Sequence, residues 1–335
     1  MQVLIVNQAE VARLLPMDAC MEAMAEALKA VARGEALLPR RQVLMLPGAA
    51  GAFAVMPAYL GPGAVLGLKS ITVFPGNHGT ELDSHQGAVL LFEAERGRLL
   101  AVMDASSITA IRTAAVSGVA TRTLARADAG DLALLGTGVQ ALTHLEAMSR
   151  ARRLRRVRAW SRDPEHVRAF AQRAARALGI RVEAAGSARE ALEGADLVCT
   201  VTSSREPVLA GPWLAAGAHV NAVGASLPSA RELDTAAVAR ACFFVDRRES
   251  ALSEAGDFLI PQREGAVDEG HIRGELGELL LGRCRGRQSD AEVTVFKSLG
   301  LAVEDVAAAR LIYDNAVKTG SGSRVELGGA RDAGA

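Results

Sequence analysis

A chain of 335 residues is long enough for two domains, each with its own core. At 50% hydrophobic and 23% charged it is neither disordered nor fibrous, and Lys plus Arg balance Asp plus Glu at 38 each, so bulk charge favours neither nucleic acid nor an anionic membrane. The opening MQVLIVNQAEVARLLPMD has no basic segment followed by an apolar one, and no run of about 18 apolar residues follows.

Cys20, Cys199, Cys242 and Cys284 lack the paired spacing of zinc or redox sites, so a cytoplasmic protein with reduced thiols and no metal site is expected. Pro16 to Gly34 carries Met17, Cys20, Met21, Met24, Leu28 and Val31 at helical spacing and stops at a glycine, which predicts a helix. From Arg41 to Asp104 the short β-rich runs RQVLML, GAFAVMPAY, VLGLKSITVF, GAVLLFEAE and RLLAVMD are separated by turn residues. They predict a mostly antiparallel sheet. Lys69 falls inside the third run, and a lysine in an apolar strand is rarely structural. Ser84, His85 and Gln86 form a polar group just before the fourth run. Ser106 to Ala127 reads as a helix with Ser106 or Ser107 as its N-cap.

Beyond residue 130 strands and helices alternate. The strands are DLALLG, RVRAW, RVEAA, DLVCTVT, AHVNAVG and CFFVD; helices fall near 139–150, 164–178 and at SAREALEG. This alternation predicts a doubly wound parallel sheet of Rossmann type. Val303 to Thr319 is a further helix beyond that sheet, and residues 321–335 read as a flexible tail.

The first of these strands runs into Gly136-Thr137-Gly138 and a helix, the context in which a G-x-G becomes informative. Gly136 permits a tight turn, Gly138 lets backbone approach a pyrophosphate, and Ala141 keeps the helix close. Val139 and Gln140 open the helix whose free N–H groups face the phosphates. At the end of the second strand an Asp or Glu would bind a ribose 2′-hydroxyl; here Ser161 and Arg162 stand instead, which suits a 2′-phosphate and favours NADPH, with NADH possible. The alternative is that Arg162 is solvated and Asp163 only caps the next helix.

Six stretches now read together: GLKSITVFPGN, SHQGAVLLFE, AVMDASSITAIRTAAVSGVAT, LLGTGVQA, NAVGASLPSARELD and TVFKSLGLAVEDVAAARLIYD. In them the chain resembles the ornithine cyclodeaminase/mu-crystallin family over roughly residues 5–318. The resemblance implies an α/β chain in which a Rossmann domain is inserted into a split α+β domain. Residues 1–127 and 303–320 would form the substrate and dimerisation domain, residues 128–302 the dinucleotide domain. It also implies a homodimer, with a small cyclic imino acid or amino acid as ligand and no nucleic acid or membrane as partner. Substrate and nicotinamide would meet in the interdomain cleft.

The resemblance further assigns roles. Arg41 matches the arginine that grips the substrate carboxylate, while Arg40, one place earlier, faces outward. Lys69 contacts the substrate beside its reacting carbon, where an ammonium can protonate or polarise an imine nitrogen. Arg112 lies near the cofactor phosphates or the substrate carboxylate. Ser84 belongs to the cofactor side; His85 either contacts the nicotinamide side or supports residues that do, without a proton-transfer role. Thr113, Thr202, Val223 and Ser298 match positions lining nicotinamide and ribose. Ser226, in the substrate region, is a departure. Cyclodeaminases and the alanine dehydrogenase of the family have an aspartate there, whereas the mu-crystallin and ketimine-reductase branch has serine. Deamination needs a base at that point; reduction of an imine does not. The expectation is an NAD(P)H-dependent reductase of cyclic ketimine carboxylates that yields proline- or pipecolate-like amino acids. Alternatives are an ornithine cyclodeaminase, an amino-acid dehydrogenase, or a non-catalytic binder of NADPH and a small ligand.

Overall fold

Strand β1 (Gln2–Val6) opens the chain, and the computed structural model describes residues 2–77 and 80–328. The chain divides into two compact units, Met1–Arg112 with Leu301–Ala335, and Thr113–Gly300.

In the first unit α1 (Gln8–Leu14) is entered through a capping box between Asn7 and Glu10. Helix α2 (Met17–Arg33) follows Pro16 and ends at left-handed Gly34, burying Met17, Cys20, Met21, Met24 and Leu28 as its periodicity requires. Then come β2 (Ala36–Leu37), β3 (Gln42–Met45), β4 (Ala52–Leu60), β5 (Val65–Val73), β6 (His85–Glu93) and β7 (Leu99–Asp104). From β3 to β7 each strand pairs antiparallel with the next, while β1 lies parallel to β7. Helix α3 (Ala105–Leu124) follows without a loop, and the division between units falls within it. Its cap is neither Ser106 nor Ser107: Asp104 Oδ1 accepts from the Ser107 N–H at 2.8 Å, and the Ser106 hydroxyl donates to the His85 carbonyl. Asp104 reads as the end of a strand, and it serves both elements because no residue separates them.

The second unit contains β8 (Asp131–Leu135), α4 (Val139–Ala151), β9 (Arg156–Trp160), α5 (Pro164–Leu178), β10 (Glu183–Ala184), α6 (Ala188–Leu192), β11 (Leu197–Thr200) and β12 (His219–Ala222). It continues with α7 (Thr235–Ala239), β13 (Cys242–Val245), α8 (Arg248–Glu254), α9 (Gly256–Arg263), β14 (Ile272–Glu275), α10 (Leu276–Leu280) and β15 (Thr294–Lys297). All strand pairs are parallel, in the order β10-β9-β8-β11-β12-β15-β13-β14. This is the doubly wound α/β sheet, and the direction of winding reverses between β8 and β11, where such sheets bind ligands beyond their C-terminal ends.

The chain then returns to the first unit as α11 (Ala302–Thr319), which packs on β4, β5, β6 and α2. Where the composition suggests a flexible tail, Ser323–Glu326 instead forms β16, antiparallel to β1 from Gln2↔Glu326 to Ile5↔Ser323. The pairing satisfies the open backbone groups of β1, and all four of its residues stay exposed, so no apolar alternation announces it. Residues 329–335 of the expected tail lie outside the described residues. The first sheet thus reads β16-β1-β7-β6-β5-β4-β2, with β3 on β4. Among the described residues no helix is long and apolar enough to cross a membrane, and all four cysteines are unpaired.

Candidate active site

Along β5 residues alternate in burial, and Lys69 falls on the inner face with Val65, Gly67 and Ile71. That face is covered by α11. A Cβ on Gly67 would stand 2.4 Å from Val306 Cγ2, so only glycine lets the helix come this near the strand. The approach puts Asp305 Oδ2 at 2.8 Å from Lys69 Nζ, with Thr109 Oγ1 at 3.5 Å. Arg112, from α3, donates through Nε to Asp305 Oδ1 (3.0 Å) and through Nη1 to Glu304 Oε2 (2.6 Å). Two cations and two carboxylates therefore form one neutral cluster, all of it buried. Burial, opposed by Asp305 and reinforced by Arg112 and Arg41, lowers the Lys69 pKa to about 8.

Arg41 is half-buried just before β3 and Arg40 is exposed. Arg112 differs from a group held ready for an anion, since two of its nitrogens already serve carboxylates. Ser84 Oγ lies 3.1 Å from His85 Nδ1 at the start of β6. Desolvation first and the Lys69 ammonium second hold the His85 imidazole below its usual pKa, although the residue as a whole is exposed.

In the second unit the turn after β8 has the required geometry. Gly136 has φ +117, and a Cβ there would lie 2.7 Å from the Val201 carbonyl oxygen. Gly138 is the N-cap of α4 with no side-chain cap, and the space around its missing Cβ is open. Val139 is 66% exposed on the first turn. Arg173 fixes the turn by donating to the Thr137 carbonyl at 2.8 Å. After β9, Ser161 is half-buried and Arg162 exposed, while Asp163 caps α5 through the Glu165 N–H.

Thr202, Val223 and Ser298 follow the C-terminal ends of β11, β12 and β15, so with the glycine turn and Ser161 they line one edge of five adjacent strands. Thr113 is buried on α3. Gln140 Oε1 and Ser298 Oγ are among the buried polar atoms of this unit that have no hydrogen-bond partner among the described residues. With the open backbone at Gly138 they fit a dinucleotide: a pyrophosphate over the α4 N-terminus and polar ligand groups further along the edge.

Ser226 is exposed on the loop after β12. The carboxylate that does occur nearby, Glu232, is fully used. It accepts from Thr200 Oγ1 (2.8 Å), Thr202 N and Oγ1 (2.7 and 2.6 Å) and Gly224 N (2.7 Å). Behind it Asp257 Oδ1 accepts from the Glu232 and Leu233 N–H groups, and Asp257 Oδ2 pairs with Lys297 at 2.9 Å. Lys297 also donates to the Ala225 carbonyl at 2.5 Å. Asp246 holds the Leu299 and Gly300 N–H groups at 2.5 and 2.7 Å.

Sequence reasoning misses Glu232, Asp257, Lys297, Glu304 and Asp305. The last two resemble ordinary first-turn acids of a helix. Their one distinguishing signal is that they interrupt an otherwise apolar run, AVEDVAAA, with no polar face for them to occupy.

A family model described as "Ornithine cyclodeaminase/mu-crystallin family" matches residues 1–320. The mouse protein "Ketimine reductase mu-crystallin" is 42% identical over 283 residues, 84% of this chain and 86% of that one. Among solved structures, Thermococcus litoralis Δ(1)-pyrroline-2-carboxylate reductase, in complex with NADH and L-proline, superposes with a TM-score of 0.94 at 37% identity, covering 96% of this chain and all (100%) of that one. An archaeal alanine dehydrogenase dimer with bound NAD gives a TM-score of 0.91 at 34% identity, covering 98% and 100% of the two chains.

Proposed function

The chain belongs to the ornithine cyclodeaminase/mu-crystallin family, and from that premise we propose that it is an NAD(P)H-dependent reductase of cyclic ketimine carboxylates. The observation that carries the reading is Lys69: a buried ammonium, 2.8 Å from a carboxylate, with a pKa lowered to about 8. Such a group gives up a proton near neutral pH more readily than an ordinary lysine. When bound, a reduced nicotinamide supplies the hydride that turns the C=N carbon into C–H. The Lys69 ammonium protonates or polarises the imine nitrogen, so that nitrogen ends as the ring amine. Arg41 pairs with the substrate carboxylate, and Arg112 balances the buried carboxylates beside it. The dinucleotide would be held by Gly136, Gly138, Val139 and Gln140 at the pyrophosphate and by Thr113, Thr202, Val223 and Ser298 nearer the nicotinamide.

Relatives related to this chain bind L-proline with NADH, or NAD. For this chain we favour NADPH, because Ser161 and Arg162 follow β9 and Asp163 is occupied as a helix cap. Arg162→Ala should weaken NADPH and leave NADH nearly unchanged; a lost hydrogen bond to a charged group is worth roughly 1.5–3 kcal/mol, or about 10- to 150-fold in Kd. Equal losses for the two nucleotides in fluorescence titrations would remove the assignment.

Ser226 and the committed Glu232 leave this loop without a free base, which favours reduction over deamination. The test is NADPH oxidation with five- and six-membered cyclic ketimine carboxylates, run beside ammonia release from ornithine. Rapid oxidation with at least one ketimine and negligible ammonia is expected. Ornithine turnover faster than ketimine reduction would reverse the reading.

We also read the chain as a homodimer. The sheet face of the first unit turned away from Lys69 exposes Leu44, Phe53 and Leu66, and Leu44 and Phe53 are direct cross-strand neighbours. An apolar face of this kind is the sort that a second copy covers.

A further inference from the structure

Asp305 has no part yet in the proposed chemistry, and its geometry gives it one. Each of its oxygens serves a different cation: Oδ2 lies 2.8 Å from Lys69 Nζ and Oδ1 lies 3.0 Å from Arg112 Nε. The Lys69 and Asp305 side chains are only 3% and 1% exposed, so water offers no substitute partner. The close approach of α11 at Gly67 fixes the separation, and Glu304 saturates the other arm of Arg112.

We propose that Asp305 is a positioning residue: it aims the Lys69 ammonium and holds it in its charged form, while Arg112 anchors the other oxygen of the same carboxylate. The inference rests on the reading of Lys69 as the proton donor, but its test does not.

The groups facing Lys69 act with different signs. Asp305, from α11, favours the charged amine. Arg112 from α3 and Arg41 from the segment before β3 disfavour it, as does burial itself. Thr109, from α3, is a neutral neighbour, and His85 on β6 is near enough to feel the ammonium. Glu304 reaches Arg112 rather than Lys69. Remove the Asp305 charge, and every large influence that remains pushes Lys69 toward the neutral amine.

The chain has four lysines, Lys29, Lys69, Lys297 and Lys318, so ¹⁵N-lysine spectra of the full-length protein are simple to assign, with Lys69→Met identifying the Lys69 signal. In the wild type the Lys69 amine should titrate with a midpoint near 8. In Asp305→Asn that midpoint should fall by about one pH unit or more, the usual effect of losing an adjacent opposite charge. Asp305→Glu, which keeps the charge, should titrate closer to the wild type, and Glu304→Gln should move the midpoint less than Asp305→Asn. An unchanged midpoint in Asp305→Asn overturns the proposal.

If Asp305→Asn does not fold, the wild type decides. The Lys69 ammonium protons, held by Asp305, should exchange with solvent more slowly than those of Lys29 and Lys318, and equal rates would overturn the assignment. In a folded Asp305→Asn the kcat–pH profile should lose activity at lower pH than the wild type. The two readings fail separately. A wild type that titrates as stated but reduces no ketimine rejects the function and leaves Asp305 in place. Ketimine reduction with an unmoved midpoint does the reverse.

Discussion

Replacing Lys69 with methionine should lower kcat for ketimine reduction by about 10²–10⁴-fold, the usual contribution of a positioned general acid. Methionine keeps the apolar stem of the side chain and removes only the ammonium. The loss belongs in kcat because the contact with nitrogen strengthens as the imine gains its proton, whereas a contact present equally in ground and transition states would appear in KM. Arg41→Ala supplies the contrast: the substrate carboxylate is unchanged by the reaction, so its effect should fall mainly on KM. Because reduction needs the protonated amine and the Lys69 pKa is about 8, the activity carried by this group is full below that pH and lost above it. Removing Lys69 leaves Asp305 still paired with Arg112, so the fold should survive, and unchanged far-UV dichroism would confirm that. A kcat near the wild-type value in folded Lys69→Met would reduce the lysine to a binding group.

The second large effect should be on stability. Lys297 and Asp257 are both 0% exposed, and their 2.9 Å pair lies behind the loop that carries Gly224 to Leu233. Breaking such a pair from one side leaves a buried charge without compensation and costs about 3–5 kcal/mol. Lys297→Met should therefore lower the Tm by roughly 6–20 °C, since about 2–4 °C accompanies each kcal/mol in a unit of this size. The double substitution Lys297→Met with Asp257→Asn removes the stranded charge while an amide oxygen still accepts from the Glu232 and Leu233 N–H groups. It should be more stable than Lys297→Met alone, although the Ala225 carbonyl loses its donor in both. Thermal melts would refute the account if Lys297→Met stayed within about 1 kcal/mol of wild type, or if the double variant lost the full sum of the single losses.

Much of this architecture is readable because it depends on local periodicity. Helix α5 and strand β9 have the bounds that period and capping suggest, and Asp163 and Gly179 mark the ends of α5. The strands from β4 to β7 fall within a residue or two of their runs. The elements that escape are short. Ile272–Glu275 and Thr294–Lys297 are among them, and β15 enters the sheet between β12 and β13, out of chain order. Strand β16 escapes for the opposite reason: only its backbone is used.

The same distinction runs through the candidate site. By itself the sequence determined the glycine turn, because Gly136 and Gly138 sit between a strand and a helix, and it singled out Lys69, because a lysine inside an apolar strand has few ordinary explanations. It also determined the absence of a carboxylate at Ser226. Only the tertiary structure decided what surrounds these residues. Asp305 lies far along the chain from Lys69, and nothing local relates them; Gly67 does, by letting α11 settle close enough to the strand for a salt bridge. Glu232 looks like a surface acid until Asp257 and Lys297 fix the loop that folds it inward. A buried charge must find its partners in space rather than in sequence, because the cost of leaving it unpaired is set by the surroundings that the completed fold provides.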